Sequence, residues 1–266
     1  MNEIVADLLT DSLVFDAMLT DILVAGLIFF PLERLAPIVT GRPAVRRLAI
    51  LDLCHTFYSG LLIVVGIVAC LAAIKSVFDL STTLNLRAQP LFLQVVEATV
   101  IGDLGFYAAH RMFHAVPALW RIHKVHHSIE EMDWLAAHRV HPVDQIATKV
   151  ASLAPVFILG FSAEAMVIYG LIYKWQSLLI HSNFHLHFGP LRHFLASPQF
   201  HHWHHANHAE SHDKNFAGQL PLIDRIFGTL HMPGDKMPEK YGVDDPPPMD
   251  YVGQLLYPWK KESPHA

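Results

Sequence analysis

The chain has 266 residues, enough for one large domain or two small ones. It is 52% hydrophobic and only 16% charged, against about 25% charged in soluble domains, so an integral membrane protein is the expected class. A net charge of −5 gives no support to nucleic-acid binding. Cys54 and Cys70, the only cysteines, are too few for a disulfide framework, an iron–sulfur cluster or a cysteine zinc site.

Glu3, Asp7, Asp11, Asp16 and Asp21 stand where a secretory signal would carry lysine or arginine, so the first apolar stretch reads as a retained anchor. A membrane span needs about 20 mainly apolar residues. Leu13 to Leu32 meets that length despite Asp16 and Asp21. Leu53 to Ile74 is the clearest span, with no formal charge before Lys75. A third runs from Pro90 to about Ala109 and contains Glu97 and Asp103. The stretch from Ile146 to Ile180 is broken at residues 160–164, with Pro155 just before. Its halves read as short, which predicts a re-entrant or tilted helical hairpin that enters and leaves on one side.

Arg34, Arg42, Arg46 and Arg47 follow the first span, whereas the Lys75-to-Gln89 link carries only Lys75 and Arg87. The positive-inside rule then puts the arginine-rich link in the cytoplasm. Three crossings return the chain to that side at His110. The expected organisation is membrane helices over 1–110, a catalytic region over 111–231 that includes the hairpin at about 146–180, and a proline-rich tail over 232–266. The tail reads equally as an interfacial strip or a plain surface segment.

Seventeen of the twenty histidines lie between His110 and His212. Ten fall into repeated spacings: His110-x3-His114, His123-x2-His126-His127, His181-x3-His185 and His201-x2-His204-His205. Residues four apart share a helix face, so each pair can chelate one ion. The triplets fan over an arc of about 100°, which suits a strip lying between two ions. Imidazole serves iron, zinc, copper and nickel alike. Ten neutral ligands around two divalent ions also call for nearby acids, accepting hydrogen bonds from the outer ring N–H groups. Asp103, seven residues before His110, is the first candidate. Glu130, Glu131, Asp144, Glu210 and Asp213 are others.

Several motifs carry a resemblance. They are Asp103-x3-Tyr107-x2-His110-Arg111-x2-His114, His123-Lys124-Val125-His126-His127-Ser128, Met132-Asp133-Trp134 and His141-Pro142-x-Asp144, then Ser197-Pro198-Gln199-Phe200-His201-x2-His204-His205 and Asp224-Arg225-x-Phe227-Gly228-Thr229. Together, over roughly Arg34 to Met232, the chain resembles the fatty acid hydroxylase superfamily in its bacterial sterol desaturase-like branch. The resemblance implies a membrane-bound, non-haem di-iron oxidoreductase that uses O2 and two electrons to hydroxylate or desaturate a lipid C–H bond. It maps the metal ligands onto His110, His114, His123, His126, His127, His181, His185, His201, His204 and His205. Two departures stand out: His202 sits inside the last box, and Ala217 replaces a usual glycine.

The expected fold is therefore all-α, with a transmembrane helical stem and a cytoplasmic helical cap holding a histidine-rich dimetal site. The resemblance implies a bacterial cytoplasmic membrane as the setting. No flavin or nicotinamide fingerprint is present. A separate ferredoxin, cytochrome or reductase must deliver electrons, docking near Arg111, Arg121, Lys124 and Arg139. A zinc-dependent membrane hydrolase and a metal-handling membrane protein are the competing readings. Sterol-like and fatty acyl substrates both remain open.

Overall fold

The structure, a computed structural model, describes residues 11–78, 84 and 86–260. Glu3, Asp7, Lys261 and His265 lie outside the described residues, as does the middle of the Lys75-to-Gln89 link. The described residues form nine α-helices and no β-strand, with isolated bridges only at Pro37–Phe184 and Ala206–Tyr241.

Five long helices form the stem. They are α1 (Asp11–Leu35), α2 (Ala49–Val77, with a π turn at His55–Ser59), α3 (Leu91–Ala115), α5 (Pro142–Leu159) and α6 (Ala163–His181). Between α3 and α5 runs the shorter α4 (Pro117–His127). The first four stem helices are long and apolar enough to cross a membrane. Leu23, Leu27, Leu62 and Val65 stay exposed on α1 and α2, an outward apolar surface that water would penalise and lipid accepts.

Small residues let the stem helices close up. A Cβ on Gly105 of α3 would lie 2.1 Å from the Ala151 carbonyl oxygen of α5, so only glycine permits that approach. The Tyr169 hydroxyl of α6 meets Ser152 Oγ at 2.6 Å, satisfying both polar groups inside the stem.

The α5–α6 hairpin returns to the end where it began. Gly160 closes α5 in the left-handed region at φ 79°, and Ser162 caps α6 by accepting from Ala165 N. The limbs are longer than expected, however. Pro142 starts α5 four residues before Ile146, giving 18 residues, or roughly 27 Å. The turn reaches the far end of α3, where Gln94 Oε1 accepts from Ser162 N and Arg87 Nε donates to the Gly160 carbonyl. The hairpin thus runs from the cap to the far end of α3.

The end of α1, the start of α2, the end of α3, the start of α5 and the end of α6 all meet one helical cap. Glu33 Oε1 on α1 accepts from Trp134 N and Asn183 N, both at 2.8 Å. Asp52 on α2 pairs with Arg46 and, at 2.6 Å, with Arg139. The cap also contains α7 (Pro198–His204), α8 (Pro221–Ile226) and α9 (Tyr251–Leu256). The tail is built into this cap: Gln254 is fully buried and meets His55 Nε2 at 2.8 Å.

Candidate metal centre

Helix boundaries set the histidines. The last two turns of α3 carry His110 and His114 on one face, and Pro117 restarts the chain as α4 with His123, His126 and His127. Helix α6 ends on His181. Ser197 caps α7 by accepting from Phe200 N, aiming His201, His204 and the following His205 at the same region.

Nine imidazoles converge in two clusters. His110, His114, His123, His127 and His204 form one; His126, His181, His201 and His205 form the other. Within each, one ring nitrogen per residue lies within 4.8 Å of all the others. His185 joins neither. The helix stops at His181, Ser182 turns to extended backbone, and His185 is exposed. The four-residue spacing therefore does not mark one helix face there. His202 is also outside, although buried: its Nδ1 meets the Tyr241 hydroxyl at 2.8 Å and its Nε2 the Ser182 carbonyl at 3.0 Å. His201 is the residue of that adjacent pair that reaches a cluster.

The outer nitrogens fix the tautomers. A carbonyl oxygen only accepts, so His110 Nδ1 donates to Phe216 (2.7 Å), His126 Nδ1 to Arg139 (3.0 Å), His181 Nδ1 to Ser177 (2.7 Å) and His204 Nδ1 to Lys214 (2.8 Å). His123 Nδ1 donates to the buried Asp144 carboxylate at 2.6 Å. The inner Nε2 atoms of these rings then carry lone pairs and no proton. Yet His110 Nε2 and His123 Nε2 are 3.0 Å apart, and His126 Nε2 and His181 Nε2 are 3.3 Å apart. Neither pair has a hydrogen to share. Two nitrogens about 2.1 Å from one ion at a right angle stand about 3 Å apart, so the spacing fits a shared cation. Buried Nε2 atoms of His114, His127 and His204 that lack any hydrogen-bond partner among the described residues complete the case.

Burial, followed by the neighbouring imidazoles, holds His123, His127, His201, His204 and His205 well below the usual imidazole range. They are neutral at pH 7, the form that binds metal.

The acids are arranged differently from the sequence-based expectation. Asp103 does not touch His110. Its carboxylate accepts from the backbone N–H groups of Gly218, Gln219 and Leu220 at 2.7–3.1 Å, and so anchors the loop whose Phe216 carbonyl holds His110. Asp224 grips the same loop through Phe216 N and Ala217 N, each at 2.8 Å. Asp144 is the carboxylate that binds an imidazole directly, and the exposed Asp213 approaches His114 Nδ1 at 3.5 Å. Glu130 and Glu210 are exposed. Arg139, read as a docking cation, is fully buried against Asp52, and its carbonyl orients His126.

Two openings flank the clusters. On the stem side a cavity of about 50 Å³ is lined by His110, His123, His126, His181 and His201, together with Phe106 and Tyr173. On the cap side a cleft of about 320 Å³ is lined by His114, His127, His204, Trp120 and Asp213.

The chain is 28% identical over 173 residues to ornithine lipid hydroxylase OlsE of Rhizobium tropici, covering 65% of this chain and 52% of the relative. It is 34% identical over 146 residues to human alkylglycerol monooxygenase, covering 54% and 32%. Fatty acid hydroxylase domain-containing protein 2 of Macaca fascicularis is 24% identical over 139 residues, covering 52% and 38%. The chain thus spans about half the length, or less, of these relatives. No solved structure matches it. The fatty acid hydroxylase family model matches residues 95–229, just over half of the chain and the whole of both histidine clusters, and the chain belongs to that family.

Proposed function

We propose that this protein is a di-iron lipid hydroxylase or desaturase of the membrane. The observation that carries the reading is the pair of clusters whose inner imidazole nitrogens face one another without protons. His110, His114, His123, His127 and His204 would hold one iron, and His126, His181, His201 and His205 the other. When bound, the irons supply the redox chemistry that couples reduction of O2 to oxidation of a C–H bond. The hydroxylation balances as lipid C–H plus O2, two electrons and two protons, giving lipid C–OH and water.

The chain's own residues do the positioning. Asp144 and the Phe216, Arg139, Ser177 and Lys214 carbonyls lock five imidazoles in the tautomer that points a lone pair inward. Phe106 and Tyr173 wall the stem-side cavity, so a C–H bond arriving there meets the clusters away from bulk water. The cap-side cleft, lined by Trp120 and Asp213, offers the approach for a separate electron-donor protein. The arginines at 34, 42 and 47 favour a cytoplasmic cap. The names of two relatives, an ornithine lipid hydroxylase and an alkylglycerol monooxygenase, favour a lipid with a polar head.

The test is the metal content of the detergent-purified protein after anaerobic iron loading, followed by O2 uptake with a reductant and bacterial lipid extract. Two irons per chain, lost in His126→Ala and His204→Ala, with lipid-dependent O2 uptake, is the expected result. Lipid turnover that proceeds equally without O2, or a failure to hold iron, would overturn the reading.

A further inference from the structure

A second cavity of about 340 Å³ lies between α1, α2, α5 and α6, beneath the cap. It shares walls at Ala137, Val140, Gln145, Tyr173 and Ser177 with the small cavity that touches the metal clusters. Met18, Ile22, Ile63 and Val64 give it an apolar side between α1 and α2. Its polar residues are less expected. Lys174 is neutralised by Asp21 at 2.5 Å. Lys149 has no such partner: among the described residues its Nζ makes neither a hydrogen bond nor an ion pair, and rests 3.1 Å from the centroid of the Tyr173 ring. The buried Nε2 of His138, in the same wall, also lacks a partner.

A lysine in a spanning helix without a counter-ion is costly, and such residues mark substrate paths. Lys149 lies seven residues along α5 from Pro142, roughly 10 Å from the end that meets the cap. Tyr173, which it covers, lines both cavities. The inner cavity has room for a few water-sized groups, roughly three or four. A lipid head at Lys149 would therefore put carbons next to the head, rather than a long tail, against the clusters.

Resting on the lipid-oxidation reading above, we propose that Lys149 is the specificity-determining residue of this site and selects lipids whose head carries an anionic group, carboxylate or phosphate. The anion supplies the counter-charge that no described residue gives Lys149. The unpartnered His138 nitrogen gives the head a hydrogen bond, and the acyl chain lies along α1 and α2.

The test is equilibrium binding of radiolabelled oleate, oleoyl lysophosphatidate and oleyl alcohol to the iron-loaded, full-length protein in neutral detergent. The wild type should hold at least one of the two anionic probes about tenfold tighter than the alcohol. Their ranking tells carboxylate from phosphate. Lys149→Met should erase the difference and Lys149→Arg should keep it. Asp21→Asn, which frees Lys174 in the same cavity, should tighten anionic binding further and gives an independent variant should Lys149→Met fail to fold. Equal affinity of all three probes for the wild type, or an anionic preference that survives Lys149→Met, overturns the proposal. Iron content and O2 uptake of the same preparations are separate readouts, so a failure of the oxidase reading is distinguishable from a failure of this one.

Discussion

His123 Nδ1 lies 2.6 Å from Asp144 Oδ2, and both groups are buried. The carboxylate lies on α5 and the imidazole on α4, so one hydrogen bond ties the five-histidine cluster to the stem. A carboxylate on the outer nitrogen fixes the tautomer and makes the inner one a stronger donor to metal. Asp144→Asn should lower iron retention by about 10- to 100-fold in a chelator competition. Asp213→Asn, at an exposed position 3.5 Å from His114, should change retention little. Equal losses in the two variants would contradict this ranking.

The placements of His185 and His202 make a paired prediction. His185→Ala should keep the full iron content, because the side chain is exposed and outside both clusters. His202→Ala should also keep its iron stoichiometry while unfolding at a lower temperature. It loses the Tyr241 and Ser182 bonds that tie α7 to the tail and to the end of α6. Leaving a buried partner unsatisfied costs about 1–3 kcal/mol. Loss of one iron from either variant would contradict the assignment.

Much of this arrangement is legible in the residues because helix phase is local. His110-x3-His114 and the His123 triplet sit on continuous helix, and the His201 triplet on a helix and the residue just after it, so a spacing rule brings them to one region. The same rule fails at His185, where the chain leaves the helix at Ser182 and the Pro37–Phe184 bridge takes over. Periodicity also puts Asp103 on the buried face without revealing what lies opposite. Its partners are 115 to 117 residues away in sequence. Arg139 shows the same limit: it reads as a surface cation until Asp52, 87 residues distant, is folded against it.

Low pH should destabilise the metal-free protein. Burial pushes His202 down to about 3 from an ordinary 6.5. Between those values the unfolded chain holds the proton and the native chain does not, so stability rises with pH across the window and is lost as pH falls. The buried cluster histidines His123, His127 and His204 act in the same direction. The apo melting temperature in detergent should therefore drop between pH 7.5 and pH 5.5. His202→Gln should flatten part of that slope. A melting temperature independent of pH would show that these rings ionise freely in the native state.

The contact of α3 with α5 gives a test of the stem. A methyl on Gly105 would meet the Ala151 carbonyl at 2.1 Å, and backbone on both sides must move to admit it. Gly105→Ala should cost about 1–3 kcal/mol, the usual range for overpacking. A melting temperature equal to wild type would mean that the two helices are not in close contact. The shift should also loosen His110 and Asp144, which these helices carry at the cap end, so iron retention should fall with stability.

Asp103 reaches the five-histidine cluster through the backbone, which sets the form of its prediction. Its two oxygens take N–H bonds from three successive residues, and an amide in its place would turn one acceptor into a donor facing those N–H groups. Hydrogen bonds to a charged group are worth about 1.5–3 kcal/mol each, so Asp103→Asn should release the 216–220 loop. Phe216 would then no longer hold His110 Nδ1, and His110 would lose the tautomer that points its lone pair into the five-histidine cluster. The expected signature is selective: iron is lost from one of the two positions while the other, built on His126, His181, His201 and His205, is kept. Iron counting should give about one ion per chain, and Mössbauer spectroscopy should show the coupled pair replaced by a single-iron signal. Loss of both irons together would mean that the loop supports the whole cap and not one cluster.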